Sequence, residues 1–158
     1  MIPEAQSYLD TLRELRANVL KALEGLNGRG LNWTPTREQS NSLFVLATHG
    51  VGSEHGWIFE TLHQGPETRH RPAEVLEKGE DIAALRHQYD RIALETEDIL
   101  GALTERDLGT THDAGRHGKV TTRWIILHVV RHYSEHIGQM YLTRQLYEVG
   151  DPKMGVED

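Results

Sequence analysis

The sequence predicts an all-α fold, a single four-helix bundle with long connecting loops, formed by one domain over residues 1–158. Two observations favour this fold. Four amphipathic segments of about 20–28 residues are separated by glycine and proline, and no segment alternates apolar and polar residues as a half-buried strand does. In addition, a chain of 158 residues has the size of one ordinary domain and buries roughly 70% of its unfolded surface.

The first segment extends from about Pro3 to Leu26, with leucine and valine at three- and four-residue spacing. Pro3 suits the first helical turn, where its missing N–H costs nothing. The glycine-bearing stretch 27–30 is expected to end the helix. A loop follows, in which Trp33 and Pro35 are expected to pack and to turn the chain.

The second segment extends from about Asn41 to His63, and Ser40 or Ser42 can cap its start. It contains three glycines, each of which costs a helix about 1 kcal/mol relative to alanine. A cost of this size suggests that a neighbouring helix approaches closely or that an open space lies beside them. The three are Gly50, Gly52 and Gly56.

The third segment extends from about Asp81 to Leu103, and its acidic start suits the helix dipole. Residues 104–120 are polar and contain glycine, so they are expected to be irregular, with room for a short ribbon. The fourth segment extends from about Thr121 to Val149, and Gly150 and Pro152 are expected to stop it. The connections of roughly 14–18 residues are long for a bundle and can cover a site at one end.

Composition excludes several classes of protein. The formal net charge is −7 and no basic stripe is present, which argues against nucleic-acid binding. Because there is no cysteine, any thiol must come from outside the chain. No signal peptide is visible, and no apolar run reaches the ~20 residues of a membrane span. A soluble cytoplasmic protein without a membrane partner is therefore expected.

Three histidines in the fourth segment are spaced four residues apart. Such residues are displaced by only about 40° on a helix, so His128, His132 and His136 follow one side. The apolar stripe covers the same arc, with His132 and His136 near its centre and His128 at its edge. Two imidazoles placed in this way can bind one metal ion. Buried core histidines with polar partners are the other interpretation, and the spacing alone leaves both open.

A catalytic metal site needs a third protein ligand, which must here be His, Asp or Glu. We expect this ligand to be His49, which faces the apolar stripe of the second segment with Ser53 and Gly56 one and two turns away. His128 is expected to have a packing or supporting part. Solvated or loop positions are expected for His55, His63, His70, His87, His112 and His117. The last two precede the fourth helix and could approach a site at that end.

One other metal pattern is present but fits less well. Residues 132–136 match the H-x-x-E-H motif of inverted zinc peptidases, in which Glu135 would be the general base. Only 22 residues follow His136, and they are used up by the same helix. No later helix remains to supply the third ligand, so this interpretation is disfavoured.

The chain resembles the DinB-like (damage-inducible) superfamily of metal-binding four-helix-bundle proteins over nearly its whole length. The resemblance depends on the segments SLFVLATHGVGSEHGWIF and TTRWIILHVVRHYSEHIGQMYLTRQL. The first is similar to the family's Leu-x-x-His entry, followed eight residues after the histidine by an aromatic residue, here Trp57. The second is similar to the family's His-x-x-x-His-x-Gly-Gln ending, here His132, His136, Gly138 and Gln139.

The resemblance implies a divalent ion, usually zinc or nickel, bound by one histidine of the second helix and two of the fourth. In this sequence these are His49, His132 and His136. It also implies a homodimer, and an activity in which some relatives use the ion to activate an external low-molecular-weight thiol. In the mycothiol-type branch glutamate often stands at the position of His132, so the chain resembles the three-histidine branch more closely.

The leading hypothesis is therefore a metal-dependent transferase of a low-molecular-weight thiol, or a related hydrolase, with an open metal position for a small-molecule substrate. Ser53, Trp57, His128 and Tyr133 are expected to line the pocket or support the ligands. The alternative is a metal-stabilised dimer or small-ligand-binding module without turnover, because the sequence offers no unambiguous general base near the ligands.

Overall fold

The computed structural model describes residues 1–36 and 40–150, and helices dominate this part of the chain. The four long helical segments are α1 (Pro3–Leu23), α3 (Leu43–His55), α5 (Ala83–Gly101) and α6 (Thr122–Gly150). Two short helices lie in the connections, α2 (Gly28–Asn32) and α4 (Arg71–Glu74). The prediction of an all-α four-helix bundle with long connecting loops is confirmed.

The connection between α5 and α6 contains the short ribbon that its composition allowed. Strands β1 (Thr111–Asp113) and β2 (Lys119–Thr121) pair antiparallel, with His112 opposite Val120. Two 3₁₀ turns, Asp107–Gly109 and Gly115–His117, complete the connection. The second of these turns lies at the tip of the ribbon, so the ribbon carries that tip beside the bundle.

Helix α3 is the central element, because nearly all of its residues are buried. It packs against α6 on one side and α5 on the other, while α1 contacts both α5 and α6. The segment is apolar on all sides apart from a few polar groups, as expected for a helix without a solvated face. Most polar side chains on α3 are therefore enclosed within the bundle and pair there, although none of the described residues gives the buried Thr48 hydroxyl a partner within hydrogen-bond distance.

Helix α1 is shorter than predicted, since it ends at Leu23 and not at Leu26. Gly25 turns the chain with a φ of 74°, a conformation that favours glycine. The stretch 27–30 does not simply end a helix. Asn27 instead caps α2, because its side chain accepts a hydrogen bond from the Gly30 N–H.

The second segment changes its helical type partway along. It starts at Leu43, with Ser42 as the cap, and after His55 it continues as a π-helix over Gly56–Leu62. The α5 and α6 helices begin and end within two residues of the predicted bounds. The Thr121 hydroxyl accepts from the Trp124 N–H at the start of α6, as a cap does.

Both predicted alternatives occur at the second-segment glycines, since Gly50 lies against a neighbouring long helix whereas Gly52 and Gly56 line cavities. A Cβ on Gly50 would lie 3.0 Å from the Tyr133 ring of α6, and one on Gly52 would collide with the Glu74 carboxylate. A Cβ on Gly56 would lie 3.1 Å from the Arg69 side chain. The glycines thus let other side chains lie directly on the backbone of this segment.

Within the residues described, no helix is long and apolar enough to cross a membrane. The predicted stop at Pro152 lies outside the described residues, as does the end of the loop after Trp33. One domain over residues 1–158 stays a prediction.

Candidate metal centre

Three histidines that lie far apart in the sequence meet between α3 and α6. The Nε2 atoms of His49 and His132 are 3.2 Å apart, and those of His136 and His132 are also 3.2 Å apart. One ring nitrogen of each lies within 4.8 Å of the other two. Three nitrogens bound tetrahedrally to zinc would be separated by about 3.3 Å. The structure therefore brings together the three residues that the sequence selected as ligands.

The His49 ring is oriented by a carboxylate that the sequence analysis did not find. Its Nδ1 lies 2.8 Å from a Glu74 oxygen, and Arg69 holds the same carboxylate through two nitrogens at 2.6 and 2.9 Å. Because a carboxylate only accepts, Nδ1 donates to Glu74, and Nε2 is the nitrogen that faces the other two histidines. Glu74 lies on the short helix α4, and no spacing pattern links it to His49.

Neighbouring hydrogen-bond donors keep the Glu74 carboxyl group ionised. Burial raises the pKa of this carboxyl group, but the hydrogen bonds from Arg69 and His49 outweigh burial and bring the pKa to about 2. Glu74 is therefore ionised at neutral pH, and its negative charge is shared between a guanidinium and an imidazole.

The His136 ring has a partner within its own helix. Its Nδ1 donates to the side-chain oxygen of Gln139 at 2.8 Å, three residues further along α6. This again leaves Nε2 free to act as an electron-pair donor. Gln139 was noted in the sequence as part of a motif, and its contact with His136 gives that motif a physical reason.

Burial keeps the paired histidines of α6 neutral. Desolvation, followed by the nearby imidazoles of His136 and His49, lowers the pKa of His132 to about 3. Burial also lowers the pKa of His136. Neutral imidazole is the form that binds a metal ion, so the site needs little proton release to accept one.

A cavity of about 390 Å³ opens beside His49 and His132. The π-helix supplies one wall of the cavity through Trp57 and Glu60. Its i→i+5 hydrogen bonds make this turn wider than a turn of α-helix. Buried Ser53 also lines the cavity. The remaining lining side chains include Arg69, Arg71, Arg116, His117 and His128. Ser53, Trp57 and His128 thus line this cavity, and their roles in binding stay a prediction.

The far wall of this cavity is aromatic. His128 stacks on the Trp124 ring with centroids 4.9 Å apart, and Trp57 lies 4.5 Å away from His128. His117, from the ribbon tip, contacts both tryptophans at 5.5 Å. The ribbon therefore brings His117 to the cavity, as its position before α6 allowed, whereas His112 pairs with Thr122 outside it.

Tyr133 lies in the core and does not line the cavity. Its hydroxyl donates to the fully buried carboxylate of Glu54 at 2.8 Å. Arg16 and Thr96 donate to the other oxygen of Glu54, at 2.8 and 2.6 Å. This network ties α1, α3, α5 and α6 together, and the sequence analysis missed Glu54 as its centre.

Other histidines and acids occupy positions that the sequence predicted only in part. His55 is not solvated as expected, because its ring lies between the Glu95 carboxylate at 2.6 Å and Thr68 at 2.9 Å. Glu135 points away from the centre with 60% of its side chain exposed, which rules out the general-base role of the peptidase motif. Exposed positions are confirmed for His63, His70 and His87.

A second cavity, of about 610 Å³, lies on the other side of the Arg69–Glu74 pair. It is lined by polar groups of α3, α4 and α5, including Thr48, Gln88 and Arg91. Arg69 and Glu74 line this cavity, and Arg69 also lines the smaller one. The two cavities therefore share one wall, which is the wall that orients His49.

The bundle, the central α3 helix and the histidine cluster define a DinB-like fold with a three-histidine site. A family model described as Mycothiol-S-transferase matches residues 7–148, and the chain accordingly belongs to the mycothiol-S-transferase family. A crystal structure of a conserved protein from Enterococcus faecalis has a TM-score of 0.77 and 17% identity, covering 96% of this chain and 100% of that chain. At this identity the similarity shows the fold alone. Among curated proteins, none matches the chain.

Proposed function

We propose that the protein binds a divalent metal ion through His49, His132 and His136 and transfers a low-molecular-weight thiol to an electrophile. The observation that carries this proposal is the convergence of the Nε2 atoms of His49, His132 and His136, with the rings of His49 and His136 also held through Nδ1. Membership of a family described by thiol transfer supports the reaction class.

The donor set fits zinc or nickel. Three neutral imidazoles are typical ligands of both ions, and three protein ligands leave an open coordination position. The hydrogen bonds from the two Nδ1 atoms to Glu74 and Gln139 are the outer partners that such ligands commonly have.

The side chains around the site orient the histidine rings and line the cavity beside them. Glu74 and Arg69 fix the His49 ring, and Gln139 fixes the His136 ring. Trp57 and His128 form an aromatic wall beside the ligands, in a cavity whose other lining side chains are mostly polar. When bound, a divalent ion supplies a Lewis acid that lowers the pKa of a thiol or water. In thiol transfer to an aryl halide, the S–H bond and the carbon–halogen bond break, sulfur bonds to the ring carbon, and the proton and the halide ion leave to solvent.

Mycothiol is the first thiol to test, because it appears in the description of the family. In the sequence, His132 favours the three-histidine branch over the mycothiol-type branch. Bacillithiol and glutathione should therefore be tested beside mycothiol. Hydrolysis by the same site is a related reaction, in which water replaces the thiol.

A non-catalytic metal-binding module is the second candidate. The carboxylate of Glu74 is already bonded to Arg69 and His49, and Glu60 accepts from the Thr68 and Arg69 backbone N–H groups. Glu74 is therefore fully engaged, and one oxygen of Glu60 is already bonded to backbone, so no described acid beside the ligands is placed as an unambiguous general base. Turnover distinguishes the two candidates, since a binding module has none.

The test combines metal content with activity. We expect one equivalent of zinc or nickel per chain by elemental analysis, lost in His49→Ala and kept in His128→Ala. The metal-loaded protein should couple one of the three thiols to an aryl halide, and His132→Ala should abolish this reaction. The exposed His87→Ala variant is the matched control and should keep both properties. Undiminished metal in His49→Ala would contradict the ligand assignment.

We also propose that the protein is a cytoplasmic homodimer. Apolar side chains on the outer face of α6 support this assembly, because they are exposed to solvent in the single chain. They are Leu127, Tyr141, Leu142, Leu146 and Val149. Light scattering should give the mass of two chains, and Leu142→Glu should give the mass of one.

A further inference from the structure

We infer that the small molecule held in the 390 Å³ cavity carries a carboxylate or similar anionic group, bound by Arg71 and Arg116. This inference rests on the proposed function and names the substrate class of the same site. It depends on the charges that line the cavity and on which of them already have partners.

The cavity contains more cationic than anionic side chains. Three guanidinium groups line it, from Arg69, Arg71 and Arg116, against one carboxylate, that of Glu60. The Glu60 oxygen accepts from the Thr68 N–H at 2.6 Å and the Arg69 N–H at 2.7 Å, so its charge is partly satisfied by backbone. The lining as a whole therefore favours an anion.

Two of these guanidinium groups lack a carboxylate partner. Arg69 is held by Glu74, but in the part of the chain that the structure describes no carboxylate lies within salt-bridge distance of Arg71 or Arg116. Arg116 makes one hydrogen bond, from Nε to the neighbouring His117 ring at 3.2 Å. The fork of a guanidinium matches the two oxygens of a carboxylate, so each can accept an anionic ligand directly.

The two arginines come from different elements that meet at this cavity. Arg71 begins α4, whose other end carries Glu74 beside His49, and Arg116 lies at the tip of the ribbon next to His117. A molecule in the cavity therefore has the histidine cluster at one side and two exposed guanidinium groups on the same lining. A sphere of this volume is about 9 Å across, enough for a reactive group and a carboxylate a few bonds apart.

The test uses thiols that differ only in their charge. Cobalt(II)-loaded protein is titrated with 3-mercaptopropionate and 3-mercaptopropan-1-ol, and with 6-mercaptohexanoate and 6-mercaptohexan-1-ol, following the thiolate-to-cobalt absorption band. We expect the acid of at least one pair to bind about tenfold more tightly than its alcohol at low salt, with a smaller ratio in 0.5 M salt. The ratio should fall to about one in the Arg71→Gln/Arg116→Gln variant.

The matched control is Arg91→Gln, which removes an exposed guanidinium from the neighbouring larger cavity and should leave the ratio unchanged. Clear absorption bands with equal affinities for acid and alcohol in both pairs would overturn the anionic substrate class while leaving the thiol site intact. A ratio that survives in the double variant would overturn the role of these two arginines. Absence of any thiolate band would overturn the proposed function itself, and this inference with it.

Discussion

At the scale of single residues, the arrangement of the site depends on which nitrogen of each imidazole carries the proton. Glu74 accepts from His49 and Gln139 accepts from His136, and both contacts involve Nδ1. Each contact leaves the Nε2 lone pair directed toward the other rings. The outer partners thus orient two of the three rings, those of His49 and His136.

Gln139→Ala should weaken metal binding without affecting the fold. Loss of the acceptor frees the His136 ring to rotate and to exchange its ring proton between the two nitrogens, and outer partners of this kind are typically worth about 10–100-fold in metal affinity. Chelator competition measures the affinity, and Gln145→Ala on the same helix is the control. Equal affinities of the two variants would show that the hydrogen bond has no part in ligation.

The metal-free protein should lose stability as the pH falls below about 6.5. The pKa of His132 is lowered by burial to about 3, so the unfolded chain binds a proton that the folded chain rejects throughout this window. Between pH 6.5 and 5 the free energy of unfolding should therefore decrease, and less steeply in His132→Gln than in the parent. Urea titrations at several pH values measure this slope.

The pH window is chosen to separate this effect from that of Glu74. Its pKa is about 2 in the folded chain and 4.5 as an ordinary carboxyl, so its stabilising contribution is lost only as the pH falls from about 4.5 toward 2. His87→Gln, at an exposed position of α5, is the control and should keep the slope of the parent. A parent slope of zero would contradict the burial of neutral histidines.

Much of the inner site was predictable from the sequence, and its outer partners were not. The four-residue spacing of His132 and His136 fixes their common face, and the small residues after His49 indicate its direction. The Gln139 contact follows the i,i+3 rule and could have been found in the same way. Glu74 could not, because it lies 25 residues from His49 on a helix of four residues.

At the scale of elements, the buried Glu54 network joins all four long segments of the bundle. Arg16 comes from α1, Thr96 from α5 and Tyr133 from α6, and all three donate to one carboxylate on α3. Because Tyr133 directly follows His132 in the chain, the bond from its hydroxyl also fixes the rotation of α6 at the metal centre.

Tyr133→Phe should destabilise the protein by about 1.5–3 kcal/mol. The substitution removes only the hydroxyl, and a hydrogen bond to a buried charged group contributes about this much. Denaturant unfolding measures the change, with Tyr141→Phe as the control at a more exposed position of the same helix. A change below about 0.5 kcal/mol would mean that Arg16 and Thr96 satisfy the carboxylate without it.

The long helices were predictable because periodicity over many residues averages out local exceptions. The short ones were not, since α2 and α4 contain five and four residues and offer too few positions for a period. Asn27 was interpreted as part of a helix end, whereas its side chain begins the next helix. The change to a π-helix at Gly56 also left no mark in the apolar pattern.

At the scale of the whole molecule, the histidine cluster links the middle of α6 to α3. An ion bound by His49 and the two α6 histidines would crosslink these helices, and it would bind the folded chain far better than the unfolded one. Stability should therefore depend on metal concentration.

Removal of the metal with a chelator should lower the melting temperature by roughly 5–10 °C. At a free concentration 100 times Kd, ligand binding stabilises a protein by about 2.7 kcal/mol, and each kcal/mol shifts the melting temperature of a chain this size by about 2–4 °C. Calorimetry with and without zinc measures the shift. His49→Ala should show no metal dependence and His87→Ala the full shift, and a shift retained in His49→Ala would indicate binding elsewhere.

The guanidinium of Arg69 separates two compartments, and this position has a thermodynamic consequence. It touches the carboxylate that orients His49, and it is exposed to the contents of both cavities. A molecule that displaced the Arg69 side chain toward either cavity would weaken its hydrogen bonds with Glu74. The free energy of metal binding by His49 would change as a result. Reciprocity then requires that ligation change the affinity for that molecule by the same factor. The larger cavity and the histidine cluster therefore share one side chain, through which a ligand of the first would affect metal binding at the second.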